Sequence, residues 1–405
     1  MKVMMLFIIV LVLLDAYVYK ALNGYTGFNS KSPIFWGLNL LVYLYFMAVL
    51  LGSAKSLPDG ASIYIRAFIF IYLLSKLFLL IPLLLEDVGR GIRYLSMRMR
   101  PQHDSVDGIS RSKFIRNFSI LMGSIPLLVL GFGVVRNIYR YKIRKVKLPV
   151  ADLPEELEGF RIVQISDIHA GTFPQKKPIL KGIEMINDLK PDLFVFTGDL
   201  VNSVADEIDP YIDYFSQIKS TYGNYSIYGN HDYGDYHEWD SEVDKLQNDI
   251  DFKDKHKQLN WQLLSNESKI IEVNNAKIAV IGVENYSTIA RFPRKGKLDE
   301  AIKNTDMADF KVLLSHDPTH WNAEVTTKYK DINLTLSGHT HGFQFGIEIP
   351  KWFRWSPSQY IYKQWAGLYR ENEQYIYVNR GFGVLGYPGR VGILPEITFI
   401  ELKKA

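Results

Sequence analysis

The chain has 405 residues, of which 47% are hydrophobic and 22% charged, and its formal net charge is +4. This length exceeds that of one ordinary domain, and so small a net charge gives no nucleic-acid-binding signature. The chain has no cysteine, which excludes disulfides, thiolate metal sites and cysteine nucleophiles and leaves the redox compartment open. The apolar residues are concentrated in residues 1–137, and the rest of the chain has the composition of a soluble α/β protein.

Four long apolar runs occupy the N-terminal third. They are Val3–Leu22, Ile34–Ala54, Ser62–Leu85 and Ser119–Val135. The first three reach or approach the roughly 20 residues that cross the hydrocarbon layer of a bilayer. The fourth is shorter and contains glycine and proline, so it either spans the membrane or is a signal-like segment. Buried helices of a soluble bundle are the alternative, but such helices usually show a polar face.

Two ionisable residues, Asp15 and Lys76, lie deep within the first and third runs. At helical rise they lie about 18 Å and about 21 Å into their runs. The two runs point the same way across the bilayer, so we expect both side chains at a similar depth. Because a lone charge there is costly, we predict that they pair. The alternative is that each side chain extends to the interface or faces a polar cavity.

Basic residues flank the fourth run on both sides, so the positive-inside rule nearly cancels. Before it lie Arg90, Arg93, Arg98, Arg100, Arg111, Lys113 and Arg116, and after it Arg136, Arg140, Lys142, Arg144, Lys145 and Lys147. The segment Ser110–Arg116 resembles a twin-arginine export signal that lacks its second arginine. This resemblance favours an integral protein of the cell or inner membrane with an extracytoplasmic C-terminal domain. An ordinary basic juxtamembrane loop is the alternative.

Short β-rich runs and helical stretches follow from Leu148 onward. The predicted strands are residues 161–165, 193–197, 225–228, 270–273, 277–283, 311–314, 332–336, 375–378 and 396–402, with a hairpin turn at Asn274–Asn275. Helices are predicted from Pro178 to Lys190 and after Pro210. We therefore expect residues 1–147 to form a membrane region of about four helices. Residues 148–405 should form a layered α/β sandwich with mixed sheets.

Five polar motifs each follow a predicted strand. They are Asp167-Ile168-His169, Gly198-Asp199, Gly229-Asn230-His231-Asp232, Ser315-His316-Asp317 and Gly338-His339-Thr340-His341. Ligands bind α/β sheets beyond the carboxyl ends of strands, so these side chains should converge on one rim. Their oxygen and nitrogen donors suit two adjacent hard or borderline divalent ions. Unrelated turn and cap residues are the alternative for any one motif.

This order of motifs resembles that of the calcineurin-like metallophosphoesterases over about Leu153 to Leu402. Within that superfamily, the segments Gly338–Gln344, Tyr377–Gly383 and Pro395–Thr398 resemble the branch that is often fused to N-terminal membrane segments. The resemblance implies an αββα sandwich. That branch usually has a second glycine at the position of Phe343, whose larger side chain could narrow or reshape the pocket.

The resemblance also implies a ligand set for two metals. One ion would take Asp167, His169, Asp199 and His341. The other would take Asp199, Asn230, His316 and His339, with Asp199 bridging. Such donors suit manganese, iron or zinc better than magnesium.

His231 resembles the general acid of the family, and Asp232 would orient its ring. A structural histidine is the alternative for His231. Outside the motifs, Arg380 and Arg390 lie in glycine-rich surroundings and could contact substrate phosphate, or they could form structural salt bridges. The remaining histidines, His103, His237, His256 and His320, are interpreted as surface or structural residues.

An aromatic stretch with interleaved basic residues follows the last motif. It contains Trp352, Phe353, Trp355, Tyr360, Tyr362 and Trp365, with Lys351, Arg354 and Lys363. This composition suits a bilayer surface or an acyl chain, and we hypothesise that it helps to admit a lipid-linked phosphate. The alternative is a loop that packs over the rim of the sheet.

The sequence thus predicts a membrane-anchored, two-metal phosphoesterase acting on a phosphate ester or pyrophosphate. The expected partners are the bilayer and a phosphorylated lipid or small molecule, for example a lipid-linked or envelope phosphate, with no nucleic acid. One alternative is a nucleotide-sugar-lipid pyrophosphohydrolase that faces the cytoplasm. Another is a non-catalytic sensor or scaffold stabilised by metal. The oligomeric state is left open.

Overall fold

A computed structural model describes residues 2–23, 28–52, 59–99, 113–173, 175–349 and 352–405. Arg100, His103, Arg111, Lys351 and the start of the twin-arginine-like segment lie outside these ranges. The chain divides into two compact units, Met1–Phe132 and Gly133–Ala405. The predicted boundary at residue 147 falls inside a strand that begins at Lys142.

Within the described residues, the first unit consists of helices long and apolar enough to cross a membrane. They are α1 (Lys2–Leu22), α2 (Phe28–Leu50), α3 (Asp59–Arg98) and α4 (Lys113–Val135), which ends just inside the second unit. The fourth predicted run therefore has the length and composition of a span. Helix α3 has 40 residues, or about 60 Å at helical rise, so it is longer than the roughly 30 Å hydrocarbon layer.

The predicted pairing of Asp15 and Lys76 is confirmed. The Lys76 ammonium nitrogen lies 2.6 Å from Asp15 Oδ1, and Asp15 is buried. Helix α2 completes the cluster, because Asn39 accepts hydrogen bonds from Lys76 and Tyr72, and Tyr43 donates one to Asp15. Three helices thus share one polar cluster in otherwise apolar surroundings.

The second unit contains two six-stranded mixed sheets in its described residues. The first sheet has the order β1 (Lys142–Val150), β14 (Glu396–Lys404), β2 (Arg161–Ile165), β3 (Leu193–Phe196), β4 (Asn224–Ser226) and β5 (Gln262–Leu263). The second has the order β12 (Gly367–Glu371), β13 (Gln374–Val378), β9 (Leu334–Ser337), β8 (Phe310–Leu314), β7 (Ala276–Gly282) and β6 (Glu267–Val273). A separate hairpin joins β10 (Ile347–Ile349) and β11 (Phe353–Trp355).

Helices cover the outer faces of the two sheets. They are α5 (Lys177–Asp188), α6 (Ile212–Phe215), α7 (Glu242–Gln258), α8 (Leu298–Ala301) and α9 (Thr326–Lys328). Apolar side chains of both sheets form one central cluster, in which Ile162 and Val195 share a core with Val280 and Val312. The opposite face of the first sheet packs on α5 and α7, and that of the second packs on α8. The predicted αββα sandwich is confirmed.

Two long elements of this unit were not predicted. Strand β1 is rich in lysine and arginine, which resembles a juxtamembrane segment, yet it pairs in parallel with β14 over its whole length. Helix α7 is strongly polar, and only a few of its residues, among them Phe252 and His256, are buried. Its N-terminal residue is preceded by Ser241, whose hydroxyl accepts from the amide of Asp244, the usual capping interaction.

Candidate metal centre

Five parallel strands deliver the motif side chains to one place. Asp167 and His169 follow β2, Asp199 follows β3 and Asn230 follows β4 in the first sheet. His316 follows β8 and the pair His339 and His341 follows β9 in the second sheet. Since β2 to β4 run parallel, as do β8 and β9, their carboxyl ends share an edge of each sheet.

The backbone at this rim is unusually bent. Asp167, His169, Asp199, His339 and His341 all have positive φ angles, between 48° and 71°. Residues with side chains rarely adopt this left-handed region, and such conformations are concentrated at functional sites. The bends aim these polar side chains into the gap between the sheets.

Two of the motif glycines are required because another group lies too close for a side chain, and not because the backbone has a positive φ angle. A Cβ on Gly229 would lie 2.2 Å from Asp199 Oδ1, and one on Gly338 would lie 2.3 Å from Asp167 Oδ2. Both glycines therefore let the backbone pass directly beside a candidate ligand.

The first cluster of candidate ligands consists of Asp167, His169 and His341. His341 Nε2 lies 3.2 Å from Asp167 Oδ1 and 3.1 Å from His169 Nε2. All three side chains are buried. Three donor atoms from two loops, those after β2 and β9, therefore converge within a few ångströms.

The second cluster consists of Asp199, His316 and His339. His316 Nε2 lies 3.2 Å from Asp199 Oδ2 and 3.2 Å from His339 Nδ1. The same carboxylate oxygen lies 3.5 Å from His169 Nε2 in the first cluster. Asp199 thus lies between the two clusters, as the predicted bridging role requires.

Neighbouring groups fix the rings of the second cluster. The carbonyl oxygen of Thr197 lies 2.7 Å from His316 Nδ1, so this nitrogen carries a proton and Nε2 is the atom directed at Asp199. The hydroxyl of Tyr362 lies 2.9 Å from His339 Nε2, which leaves Nδ1 directed at the cluster. Tyr362 belongs to the predicted aromatic stretch, but no sequence pattern indicates that it contacts a motif histidine.

The electrostatics of the site favour cations. Burial alone would raise the pKa of Asp199, but His316 and the other histidines around it hold that pKa well below its ordinary value. The pKa of Asp167 is likewise lowered against the effect of burial, chiefly by His341. Burial lowers the pKa of His169 well below its ordinary value and so keeps that imidazole neutral. Two ionised carboxylates therefore lie buried among imidazoles.

The donor set fits two divalent ions. The buried Asn230 side-chain oxygen has no hydrogen-bond partner, while its amide nitrogen donates to Tyr236 at 3.0 Å. Imidazole nitrogens from neighbouring loops also face one another at 3.1 and 3.2 Å, an arrangement that a shared cation stabilises. Asn230 would thus join the second cluster, as the resemblance implies.

The Asp232 carboxylate, which the resemblance predicts to orient the His231 ring, has backbone partners in the structure. The buried Asp232 carboxylate instead accepts four backbone amides, those of Asp199, Leu200, Val201 and Gly229. It therefore holds the loops after β3 and β4 together.

The ring of His231 is held by other groups. Its Nδ1 lies 2.7 Å from the carbonyl oxygen of Asn202, and its ring stacks on Tyr236 with centroids 4.3 Å apart. Its backbone amide donates to Asp199 Oδ1 at 2.9 Å. Asn202 and Tyr236 have no counterpart in the five motifs, so the sequence did not single them out.

Arg380 and Arg390, which the sequence marks as substrate contacts or structural salt bridges, both have protein partners in the structure. Arg380 is buried and forms ion pairs with Glu396 at 2.6 Å and Glu348 at 2.7 Å. The fully buried Arg390 donates to the carbonyl oxygens of Gly381 and Gly383. Both arginines thus stabilise the loops behind the site. Among the other histidines, His256 and His320 are buried and His237 is exposed.

A cavity of about 600 Å³ opens onto the candidate ligands. Its described lining consists of Asp199, Asn230, His231, Tyr236, Arg291, Phe292, His339, Thr340, His341, Phe343, Gln344, Tyr362, Leu385 and Tyr387. Arg291 is the one arginine or lysine in that described lining, and no motif marks it in the sequence.

Phe343 lines the cavity, as predicted, and is 43% exposed. Its φ angle is +51°, which explains why a glycine is the easier residue at this position.

Two family comparisons cover most of the chain. Residues 160–343 match the family described as calcineurin-like phosphoesterase, and residues 1–138 match the family described as probable calcineurin-like phosphoesterase, transmembrane domain. The chain is 30% identical over 305 residues to the uncharacterized metallophosphoesterase YkuE of Bacillus subtilis, covering 73% of this chain and 98% of YkuE. The chain therefore belongs to the calcineurin-like metallophosphoesterases and carries a transmembrane region.

Other similar proteins include membrane proteins and solved enzymes. A Danio rerio transmembrane protein with metallophosphoesterase domain is 28% identical over 403 residues, which cover 96% of this chain and 85% of that protein. The structure of Haemophilus influenzae NAD nucleotidase aligns with a TM-score of 0.35 and 16% identity, covering 55% of this chain and 45% of that one.

Proposed function

We propose that this protein is a membrane-anchored hydrolase that cleaves a phosphate ester or pyrophosphate with two divalent metal ions. The observation that carries the proposal is the position of Asp199 Oδ2 between His169 and His316, which joins the two ligand clusters. The ligands would be Asp167, His169 and His341 for one ion and Asn230, His316 and His339 for the other, with Asp199 shared. Manganese, iron or zinc suits this mixture of imidazole and carboxylate donors.

Two ions held there would polarise the phosphoryl oxygens and lower the pKa of an attacking water. His231 would supply the proton that the leaving oxygen needs. The carbonyl oxygen of Asn202 holds its Nδ1–H, so a protonated ring can donate through Nε2. Tyr236 restrains the same ring by stacking. Arg291 would bind a phosphate oxygen of the substrate at the cavity wall.

The cavity also supports an amphiphilic substrate. Phe292, Phe343, Tyr362, Leu385 and Tyr387 line it beside the polar donors, so an apolar group can bind next to the scissile phosphate. The membrane helices keep the enzyme in the bilayer where such a molecule is concentrated. We propose a lipid-linked or envelope phosphate as substrate and an extracytoplasmic position for the catalytic domain.

Turnover of aryl phosphodiesters by the purified protein tests the reaction class. Hydrolysis that requires added divalent metal supports it, and a protein that binds metal without turnover would be the sensor or scaffold instead. A reporter fused after Ala405 tests the sidedness. A cytoplasmic reporter would favour the nucleotide-sugar-lipid pyrophosphohydrolase.

A further inference from the structure

The end of helix α4 touches the loop that walls the cavity. The carbonyl oxygen of Gly133, in the last turn of α4, accepts from the amide of Arg390 at 3.3 Å, and Asn137 Nδ2 donates to the Arg390 carbonyl oxygen at 2.9 Å. A Cβ on Gly133 would lie 2.9 Å from the hydroxyl oxygen of Tyr387, a cavity-lining residue. The first residues of the second unit, Gly133 to Asn137, therefore lie beside the loop of Tyr387 and Arg390 that walls the cavity.

The neighbouring surface of this loop is apolar and exposed. We call Phe343, Phe345, Ile347, Ile349, Trp352 and Phe353 the apolar rim. Each side chain is exposed, and Trp352 is 82% exposed. The rim is joined to the loop at the helix end, because Gly346 donates to the carbonyl oxygen of Val391 at 2.9 Å and Phe345 forms a β-bridge with Val391.

The hairpin that carries most of this rim has its polarity reversed. In β10 the flanking residues Ile347 and Ile349 are exposed, whereas Glu348 between them faces inward and pairs with Arg144 and Arg380. A strand on a water-facing surface shows the opposite alternation, with apolar side chains inward. Arg144 belongs to β1, which begins seven residues after the last residue of α4. The reversed face thus belongs to the part of the domain that follows directly from the membrane helix.

We propose that the apolar rim is inserted in the interfacial layer of the bilayer. Aromatic and branched apolar side chains favour that layer, and exposing a contiguous apolar patch to water is unfavourable. The cavity, which shares Phe343 with the rim, would then receive a phosphorylated lipid by its headgroup while the acyl chains stay in the bilayer. This inference rests on the proposed function for the substrate, but the position of the rim can be tested without any activity.

Depth measurement by spin labelling tests the position of the rim. The chain has no cysteine, so Ile349→Cys, Trp352→Cys and Val243→Cys each give one labelling site. Val243 is a matched control, because it is an exposed apolar residue on α7. In phosphatidylcholine–phosphatidylglycerol nanodiscs, nitroxides at positions 349 and 352 should be more accessible to oxygen than to a nickel chelate. The nitroxide at position 243 should be more accessible to the nickel chelate than to oxygen. A label at 352 as open to nickel as that at 243 would overturn the proposal. So would protection from both reagents, which would indicate a protein partner or a second copy.

A second experiment tests the consequence for the substrate. The Ile349→Ser, Trp352→Ser double variant should lose at least tenfold in turnover of a long-chain phosphodiester embedded in vesicles, with unchanged turnover of a soluble aryl phosphodiester. The matched control is Val243→Ser, Leu246→Ser, which should change neither. Equal loss of turnover on both substrates, or no loss on either, would contradict the proposed role of the apolar rim in admitting a lipid substrate. If the wild type hydrolyses neither substrate, the proposed function fails and the depth measurement alone decides the position of the rim.

Discussion

Lys76 of α3 and Asp15 of α1 form a buried ion pair, with 2.6 Å between Nζ and Oδ1. Helix α2 contributes Asn39 and Tyr43 to the same cluster. A charge in the apolar part of a membrane is stabilised when it has a partner of opposite sign and further hydrogen bonds. This pair therefore ties three helices of the membrane unit together.

The pair predicts non-additive effects of mutation. Asp15→Asn and Lys76→Met should each lower the melting temperature in detergent, because each leaves the other charge buried alone. The double variant should lose less stability than the two single variants lose together, and the difference should correspond to a coupling energy of about 1–2 kcal/mol. Lys20→Met, which removes an exposed lysine near the end of α1, is the control and should have little effect. Additive losses would show that the two side chains do not interact.

His231→Ala should separate catalysis from metal binding. The backbone amide of His231 still donates to Asp199 Oδ1 in this variant, so the metal content should stay at the wild-type level. Turnover should fall by about 10²–10⁴, the usual contribution of a positioned acid. Elemental analysis beside kinetics provides the measurement, and loss of metal from this variant would contradict the role as general acid.

Asp232→Ala is the informative comparison for His231→Ala. It leaves four amides without their acceptor, each costing about 1–3 kcal/mol, so the protein should melt at lower temperature and lose metal together with activity. Asp235→Ala is the control, because Asp235 lies on the same loop but is exposed and pairs with Lys245. This variant should have little effect.

Arg291→Gln should weaken substrate binding. Arg291 lines the cavity, and its guanidinium lies 4.5 Å from the Phe292 ring. Its loss should therefore raise KM about tenfold at unchanged metal content, as expected for a charged hydrogen bond to the substrate. Arg294→Gln is the matched control, since its guanidinium lies 4.4 Å from the Tyr286 ring outside the described cavity lining. Equal KM changes in the two variants would exclude Arg291 from substrate binding.

His256 predicts how stability depends on pH. Burial lowers its pKa to about 4, and its Nδ1 lies 3.0 Å from the Phe252 carbonyl oxygen. In the unfolded chain His256 binds a proton near pH 6.5, whereas in the folded protein it stays neutral down to about pH 4. The stability that the neutral, buried ring contributes is therefore complete above pH 6.5. It is lost as the pH falls toward 4, by up to about 3 kcal/mol. In His256→Leu, the decline in melting temperature between pH 6.5 and 4 should be shallower. An unchanged slope would contradict this.

The strands and the ligand motifs were predictable because their patterns are local. Alternation and β-branched residues mark β2 and β7, and each motif directly follows such a run. The contacts of Asp232 were not predictable, because its side chain is directed by a turn that brings amides from β3 and β4 loops together. Arg291 was not predictable, because a single arginine in a loop belongs to no sequence motif. In contrast, Arg380 and Arg390 have suggestive neighbours but are buried by the packing of distant segments.

The dependence of turnover on bound metal tests the two-metal assignment most directly. Wild-type protein stripped of metal should be titrated with manganese while bound metal per chain and hydrolysis of an aryl phosphodiester are recorded together. Activity should appear as the second ion binds, and Asp199→Asn, which removes the shared carboxylate, should neither hold two ions nor turn over. Full turnover by metal-free protein, or wild-type activity in Asp199→Asn, would contradict the assignment.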